Sequence, residues 1–405
     1  MGKDYFKDLK IRKLTTDDLK QFNSLLRYAF QVSEEELIKI GLEDDDIRKS
    51  KFPILTSSDV LGWFDGDKLV SQLAVYPIKM NINEKIYSIG FVTGVATYPE
   101  YSGHGLLSKL MKEALTQMRM KGQTISLLYP YSIPFYRHKG WEIISDKMTF
   151  SLKDFQLPKK LSVPGIVKRV KEDSLDVINL HEKFAQKTHG CIFRNDLAWE
   201  EYWRWDVSDT TVAVYYDKND KPKGYMVYFL NHDVFSIKEI VCLNTEAWNG
   251  LWGYISAHES MINEVKGNNY SSTPIAFWLN DSDIRETIRP YIMGRIIDVE
   301  KFLKKYRFLA SSERRKITFE VKDAMLEWNN KCFTVEFSPL KPPKIYEGKK
   351  GEKVELSIGT LTTMLMGYKS PTYLHDIEHI RAKKSTINFL ETVIPHEKAY
   401  ISDYI

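Results

Sequence analysis

Phe91–Gly122 reads FVTGVATYPEYSGHGLLSKLMKEALTQMRMKG, and its three textures decide how the rest of the chain is read. Val92, Thr93, Val95 and Thr97 are β-branched and suit a strand. Tyr98-Pro99 turns the chain into Ser102-Gly103-His104-Gly105. From there Leu106, Leu107, Leu110, Met111, Ala114, Leu115 and Met118 fall at helical spacing, and Gly122 stands where a C-terminal cap glycine belongs. A strand that passes through small residues into a helix N-terminus aims several amides, and the positive end of the helix dipole, at one point. That point suits a phosphate. Neither a dinucleotide fingerprint nor a Walker A loop fits, because Ser108 replaces the third glycine of the former and Gly-Lys-Ser/Thr is absent.

A chain of 405 residues predicts two or three domains. Its 23 Tyr, 20 Phe and 9 Trp predict packed cores rather than disorder. A formal charge of +4 with no basic stripe argues against a dedicated nucleic-acid binder, and the locally basic Lys301–Lys316 reads as solvated surface. Cys191, Cys242 and Cys332 are too far apart for a disulfide framework or a zinc site and suit a reducing compartment. MGKDYFKDLK has no apolar signal core, and no run reaches the ~18 apolar residues of a membrane span. The expected location is cytoplasmic.

Taken in order, Ile11–Leu14 reads as a strand, and Thr15–Asp18 caps a helix striped by Leu19, Phe22, Leu25, Leu26 and Ala29. Glu34–Glu36 and Glu43–Asp46 form an acidic insertion, read as a solvated face. Val60–Asp65 and Lys68–Tyr76 form a hairpin through Asp65-Gly66-Asp67, and Lys79–Ile89 a further strand pair around Asn83-Glu84. After Phe91–Gly122 come a strand, Thr124–Leu128, and the run Pro134–Glu142.

The pattern then repeats. Val167–Val170 with Glu172–Leu175 echoes Ile11–Leu14 with Thr16–Leu19, and Phe235–Gly253 can be laid without a gap on Tyr87–Gly105. In that register Leu251 stands opposite Gly103 and Gly253 opposite Gly105, so the second copy is expected to lack a phosphate site. Trp199–Trp205 reads as an aromatic helix buried against a sheet. From Ile297 the elements suggest a small α+β domain: a helix from Asp298, strands Lys316–Val321, Cys332–Phe337 and Val354–Ser357, and helices Gly359–Met366 and Ile380–Val393. His375-Asp-Ile-Glu378-His379 spells an H-x-x-E-H zinc pattern, but only Glu391, Glu397 or Asp403 remain as a third ligand.

The order of elements, with the turn at Ser102–Gly105, resembles the GNAT acyltransferases, whose coenzyme A turn reads Arg/Gln-x-x-Gly-x-Gly/Ala. Here Ser102 and Leu107 depart from it. Two such copies followed by a sterol-carrier-like domain resemble the Eis (enhanced intracellular survival) family along the whole chain. The likeness rests on Val95–Pro99 with Gly105–Leu107, on Phe135–Trp141, Ile297–Glu300 and Ile358–Leu361, and on the ending Tyr400–Ile405. It implies an α+β fold of tandem GNAT domains with mixed, largely antiparallel sheets: 1–155 catalytic, 156–295 degenerate, 296–405 sterol-carrier-like. It implies acetyl-CoA as co-substrate, no metal, and a homohexamer. Coenzyme contacts would come from Val95, Ala96, Thr97, Gly103, His104, Gly105, Leu106, Leu107, Ser108 and Ser132. Tyr136 would be the general acid, and the carboxylate of Ile405 the general base. The implied acceptors are cationic primary amines, aminoglycoside-like or polyamine-like, or lysine side chains of peptides. The alternative is a non-catalytic carrier of apolar ligands built on the last domain.

The chemistry sets demands that these residues must meet. Acyl transfer from a thioester needs a neutral amine, a polarised carbonyl and a proton for the leaving thiolate. In water, a tyrosine near 10 protonating a thiolate near 8.5 is uphill by about 2 kcal/mol. A terminal carboxylate near 3.5 deprotonating an amine near 10.4 is uphill by about 9 kcal/mol. Burial of the groups, or a water relay, must close both gaps.

Overall fold

Asn83 and Glu84, left-handed at φ 48° and 63°, turn the strand Lys68–Ile82 back on Lys85–Thr97. Such a turn matches the twist of the strands it joins. The computed structural model describes residues 9–32, 44–159, 162–204, 210–271 and 273–404. The long hairpin is the centre of its first sheet, and the strand pairs expected separately before and after Tyr76 are continuous within it. The order runs Lys10–Lys13, Asp59–Asp65, Lys68–Ile82, Lys85–Thr97, Ile125–Leu128, Met293–Ile296, Glu142–Ile143, with Ile192–Phe193 pairing outside that path.

Alternation along Lys68–Ile82 feeds two cores. Ala74 and Tyr76 pack with Phe22 and Leu25 of the helix Leu19–Phe30, while Leu73 and Val75 pack with Leu110, Met111, Ala114 and Met118 of the helix Leu106–Met120. The two helices therefore cover opposite faces. The helix Asp44–Ser57 occupies part of the acidic insertion; Glu34–Glu36 lie outside the described residues.

The two halves trade strands. Asp146–Lys153 leaves the first unit and pairs in the second sheet with Glu264–Asn269 and Arg285–Pro290. Met293–Ile296 returns the other way and fills the first sheet between Ile125–Leu128 and Glu142–Ile143. The chain thus crosses between sheets ahead of each of the boundaries expected at 155/156 and 295/296. The second sheet runs Arg285–Pro290, Asp146–Lys153, Glu264–Asn269, Val234–Cys242, Pro222–Asn231, Thr211–Tyr216, Ile166–Val170.

The gapless overlay of the two copies fails in register. Leu251 and Gly253 lie inside the helix Thr245–Ser256, not in a turn before it. Two residues, Leu243 and Asn244, join strand to helix there, against the eight from Tyr98 to Gly105 in the first copy. The Asn244 side chain also takes the Ala247 amide, so the phosphate-accepting loop is replaced by an ordinary capped helix start. The aromatic helix, Asp196–Trp203, packs its stacked Trp199 and Trp203 into the core of this unit.

In the last domain a five-stranded sheet carries the helices Val299–Lys305, Ile358–Leu365, Pro371–Asp376 and Lys384–Val393. Ile380–Arg381, expected as helix, is an edge strand, and Lys341–Glu347 is a strand in spite of its two prolines. The zinc pattern is broken at its middle. The helix holding His375 ends at Asp376, and Glu378 is left-handed at φ 60°, so the three side chains share no helix face. No group of three metal-ligating side chains occurs among the described residues. No helix there is long and apolar enough to cross a membrane.

Buried polar groups lock the units together. Arg295, fully buried, makes two 2.7 Å bonds to Asp323. Arg119 at the end of one helix holds Asp298, which caps the next domain's first helix. His189 accepts from the Asn83 amide at 3.1 Å, so its other nitrogen carries the proton and donates to the Met366 carbonyl at 3.1 Å. That one imidazole spans three parts of the chain. Burial pushes His189 down to about 4, and burial with the charge of Arg194 does the same to His181.

Both imidazoles are thus neutral when folded and protonate only near pH 4, whereas the unfolded chain takes up the same protons near 6.5. Their contribution is fully present above pH 6.5 and falls as pH drops toward 4, at about 1.4 kcal/mol per pH unit for each. Urea unfolding followed between pH 7 and 4.5 should show this slope, and His189→Gln should flatten it by about half.

Candidate active site

The strand Lys85–Thr97 pairs in parallel with Ile125–Leu128 only as far as Val92 opposite Leu128. From Thr93 to Thr97 it keeps its other neighbour, Lys68–Ile82, through a bulge at Gly94, where φ is 60°. A bulge increases local twist and swings the strand away from its parallel partner. No described strand pairs with the freed edge, so the backbone of Val95, Ala96 and Thr97 faces a gap. Thr93, Gly94 and Val95 are half-buried there, while Phe91 and Val92 are buried. An extended arm carrying amides could add itself as the missing strand.

At the end of that edge Gly103 and Gly105 both take positive φ, 81° and 73°. Nothing lies within 4 Å of a Cβ placed on either, so their backbone faces open space. Gly105 is the N-cap of Leu106–Met120 and has no side chain to close the helix end. His104 is exposed in the same turn. Leu106 is buried, and its carbonyl accepts from the Trp63 indole at 2.9 Å. Leu107 and Ser108 are half-buried along the first turn.

The sequence offered no cation at this turn, and the structure supplies one from elsewhere. The Lys139 ammonium donates to the Ser108 hydroxyl at 2.7 Å and lies over the Phe135 ring. Burial pulls it below the ordinary lysine range. Lys139 is held by its own backbone: the buried Arg295 donates to its carbonyl. Gly140 follows at φ 85°, with Arg295 Nη1 only 1.7 Å from where a Cβ would stand. No spacing in the sequence could have paired residues 108 and 139.

Tyr136 belongs to the same segment, on the five-residue helix Ile133–Arg137. Ser132 is its N-cap, and the Ser132 carbonyl accepts the Tyr136 amide. The Tyr136 ring is buried edge-on to Phe135 and Trp141, and burial pushes its hydroxyl up to about 12. It therefore stays protonated at neutral pH.

Ile405 lies outside the described residues, but the tail before it does not fray. The Tyr400 amide donates to the His189 carbonyl, and Ile401, Ser402 and Asp403 are buried. Arg194, with no exposed side-chain surface, donates to Asp403 at 2.6 Å, to Ser402 at 3.2 Å and twice to Glu239 at 3.0 and 2.8 Å. Tyr291 donates to the Asp403 carbonyl, and Tyr404 packs edge-on to Tyr129 at 5.0 Å. Tyr129 is the residue after Leu128, where the strands part. Tyr404 thus lies beside the end of the gap. Tyr129, Ser402 and Tyr404 also line a cleft of about 1180 Å³ over the polar face of the second sheet.

Three family matches fall in order along the chain: the acetyltransferase (GNAT) domain at residues 10–144, a further acetyltransferase (GNAT) domain at 190–296, and the sterol carrier protein domain at 299–402. No curated protein matches the sequence significantly. Among solved structures, a probable N-acyltransferase from Enterococcus faecalis is 24% identical with a TM-score of 0.89, over 98% of this chain and all of that one. A GCN5-related N-acetyltransferase from Anabaena variabilis is 21% identical at 0.85, with the same coverage. Eis1 from Mycobacterium abscessus is 17% identical at 0.80, again over 98% of this chain and all of that one. At these identities the likenesses establish the fold.

Asp403→Ala leaves the Nε–H of a fully buried guanidinium without its acceptor while Glu239 still balances the charge, and such a loss costs about 1–3 kcal/mol. Urea unfolding should register a cost of that size, and carboxypeptidase should shorten the variant faster than the parent.

Proposed function

The chain belongs to the GNAT acetyltransferases, with two such domains ahead of a sterol carrier protein domain, and we propose that its first unit transfers acetyl from acetyl-CoA to a primary amine. The observation that carries this reading is the freed edge at Val95–Thr97 continuing into the uncapped turn at Gly103–Gly105. The edge suits the amide-bearing pantetheine arm of the coenzyme, and the turn suits its diphosphate. Lys139 supplies a positive charge at a turn where Ser102 stands in place of the usual Arg or Gln.

Acetyl-CoA brings the activated thioester; the chain's own residues handle position and protons. Amides of the edge hold the arm in line and leave the thioester near Leu128 and Tyr129. Tyr136 delivers the proton that the departing thiolate needs. Its elevated position near 12 makes it a weak acid toward a thiol in water, but the burial that raises it also raises a thiolate left in the same dry pocket. The proton therefore moves between two groups shifted the same way. The carboxylate of Ile405, carried to this end of the gap by Tyr404, takes the proton from the amine, directly or through water. The homohexamer implied by the family resemblance belongs to the same proposal, and light scattering of the purified chain reads it.

Tyr136→Phe should lower kcat by about 10²-fold or more with little change in KM for acetyl-CoA. Adding a few residues after Ile405 should abolish turnover while acetyl-CoA still raises the melting temperature; unchanged turnover would remove the terminal base. Lys139→Met should do the opposite of Tyr136→Phe, raising KM for acetyl-CoA by about tenfold, as loss of one charged hydrogen bond would, and sparing kcat.

A further inference from the structure

The cleft at the tail's end has a chemistry of its own. Its floor is the polar face of the second sheet, where Lys147, Thr149 and Ser151 alternate along one strand and Arg285, Thr287 and Arg289 along the next. The antiparallel register sets Arg289 directly opposite Lys147 and Arg285 opposite Ser151. Like charges facing each other across a ladder repel.

The carboxylates that line the cleft do not relieve this repulsion. Glu239 is taken by Arg194, Glu201 by Tyr76 and Arg204, and Glu264 by Lys266 and Ser151. Lys147, Arg285 and Arg289 have no carboxylate partner among the described residues. Positive side chains on an edge strand often serve only to block sheet-to-sheet pairing, and Arg285 and Arg289 stand on such a strand. Lys147 does not. It lies one strand inward, half-buried over the rings of Tyr270 and Tyr291 at 5.8 and 5.7 Å. Tyr291 in turn touches Tyr129 and the Asp403 carbonyl. One ring therefore separates the unpaired lysine from the tail.

We propose that Lys147 and Arg289 bind an anionic group, carboxylate or phosphate, on the acceptor, so that the substrate is an amine that also carries a negative charge rather than a polycation. This rests on the reading of the first unit as an acetyltransferase whose acceptor enters by this cleft. Holding the anion between the two cations leaves the amine end toward Tyr404 and the freed strand edge.

Matched acceptors test this: lysine against cadaverine, and glucosamine 6-phosphate against glucosamine, followed by thiol release from acetyl-CoA and by thermal shift in the presence of coenzyme A. The anionic member of at least one pair should be favoured by about tenfold or more in kcat/KM and should alone stabilise the protein, and which pair responds separates carboxylate from phosphate. Lys147→Met and Arg289→Gln should each erase that preference without changing stabilisation by acetyl-CoA. Equal treatment of both members, in turnover and in binding, would overturn the proposal. So would a variant that loses both members of a pair alike, which would assign the cations to the chain's own terminal carboxylate. Failure of acetyl-CoA itself to stabilise the parent protein would instead strike the acetyltransferase reading.

Discussion

The Arg194 side chain has no surface exposed to water, and the architecture around the tail follows from satisfying it. Burial alone would drive a guanidinium toward neutrality; the charges of Asp403 and Glu239 reverse that and hold it firmly cationic. Glu239 is opposed by its own burial too, yet Arg194 keeps it ionised, and Tyr225 donates a further 2.8 Å bond. Its partners come from two distant stretches of chain: Glu239 from a central strand of the second sheet, Asp403 and Ser402 from the tail. Withdrawing the tail would leave the Arg194 Nε–H without an acceptor in a dry interior. The last residues are therefore structural before they are anything else, and a terminus that would ordinarily be mobile has a fixed address.

That address matters because of the strand exchange. Met293–Ile296 lies beside Ile125–Leu128 in the first sheet, so the strand that ends at the gap is braced by a segment from the far side of the second unit. Arg295 on this segment reaches both Asp323 of the last domain and the Lys139 carbonyl. The turn that carries Tyr136 and Lys139 is thus set by residues more than 150 positions downstream. Neither the second unit nor the last domain needs chemistry of its own to be required for the first unit's geometry.

This explains what could and could not be read from the amino-acid order. Local features were legible: the strand, glycine turn and helix of Phe91–Gly122, the Asn83-Glu84 hairpin and the helix that starts at Asp298. Each is fixed by side chains within a few residues of itself. Lys341–Glu347 was missed because its prolines stand on an edge strand, where an absent amide costs nothing. The second copy was misaligned because Gly253 invites comparison with Gly105, although a glycine inside a helix and one before it look alike on paper. The site residues that depend on long-range contact were invisible. Lys139 meets Ser108, Arg194 meets Asp403, and Arg289 meets Lys147 only once the sheets are assembled.

The acid–base problem raised by the sequence changes character once the cleft is in view. A terminal carboxylate facing a free alkyl amine is short by about 9 kcal/mol, and each unit by which the amine's proton affinity falls recovers about 1.4 kcal/mol. Lys147 and Arg289 face the space in front of the tail without carboxylate partners among the described residues, so any ammonium entering there meets repulsion that bulk water does not impose. Burial already draws Lys147 below its ordinary range. An acceptor that brings its own anion satisfies the cations at one end and holds its amine toward the tail at the other. What then lightens the demand on any base is loss of hydration of the amine, or a water relay, rather than the two cations.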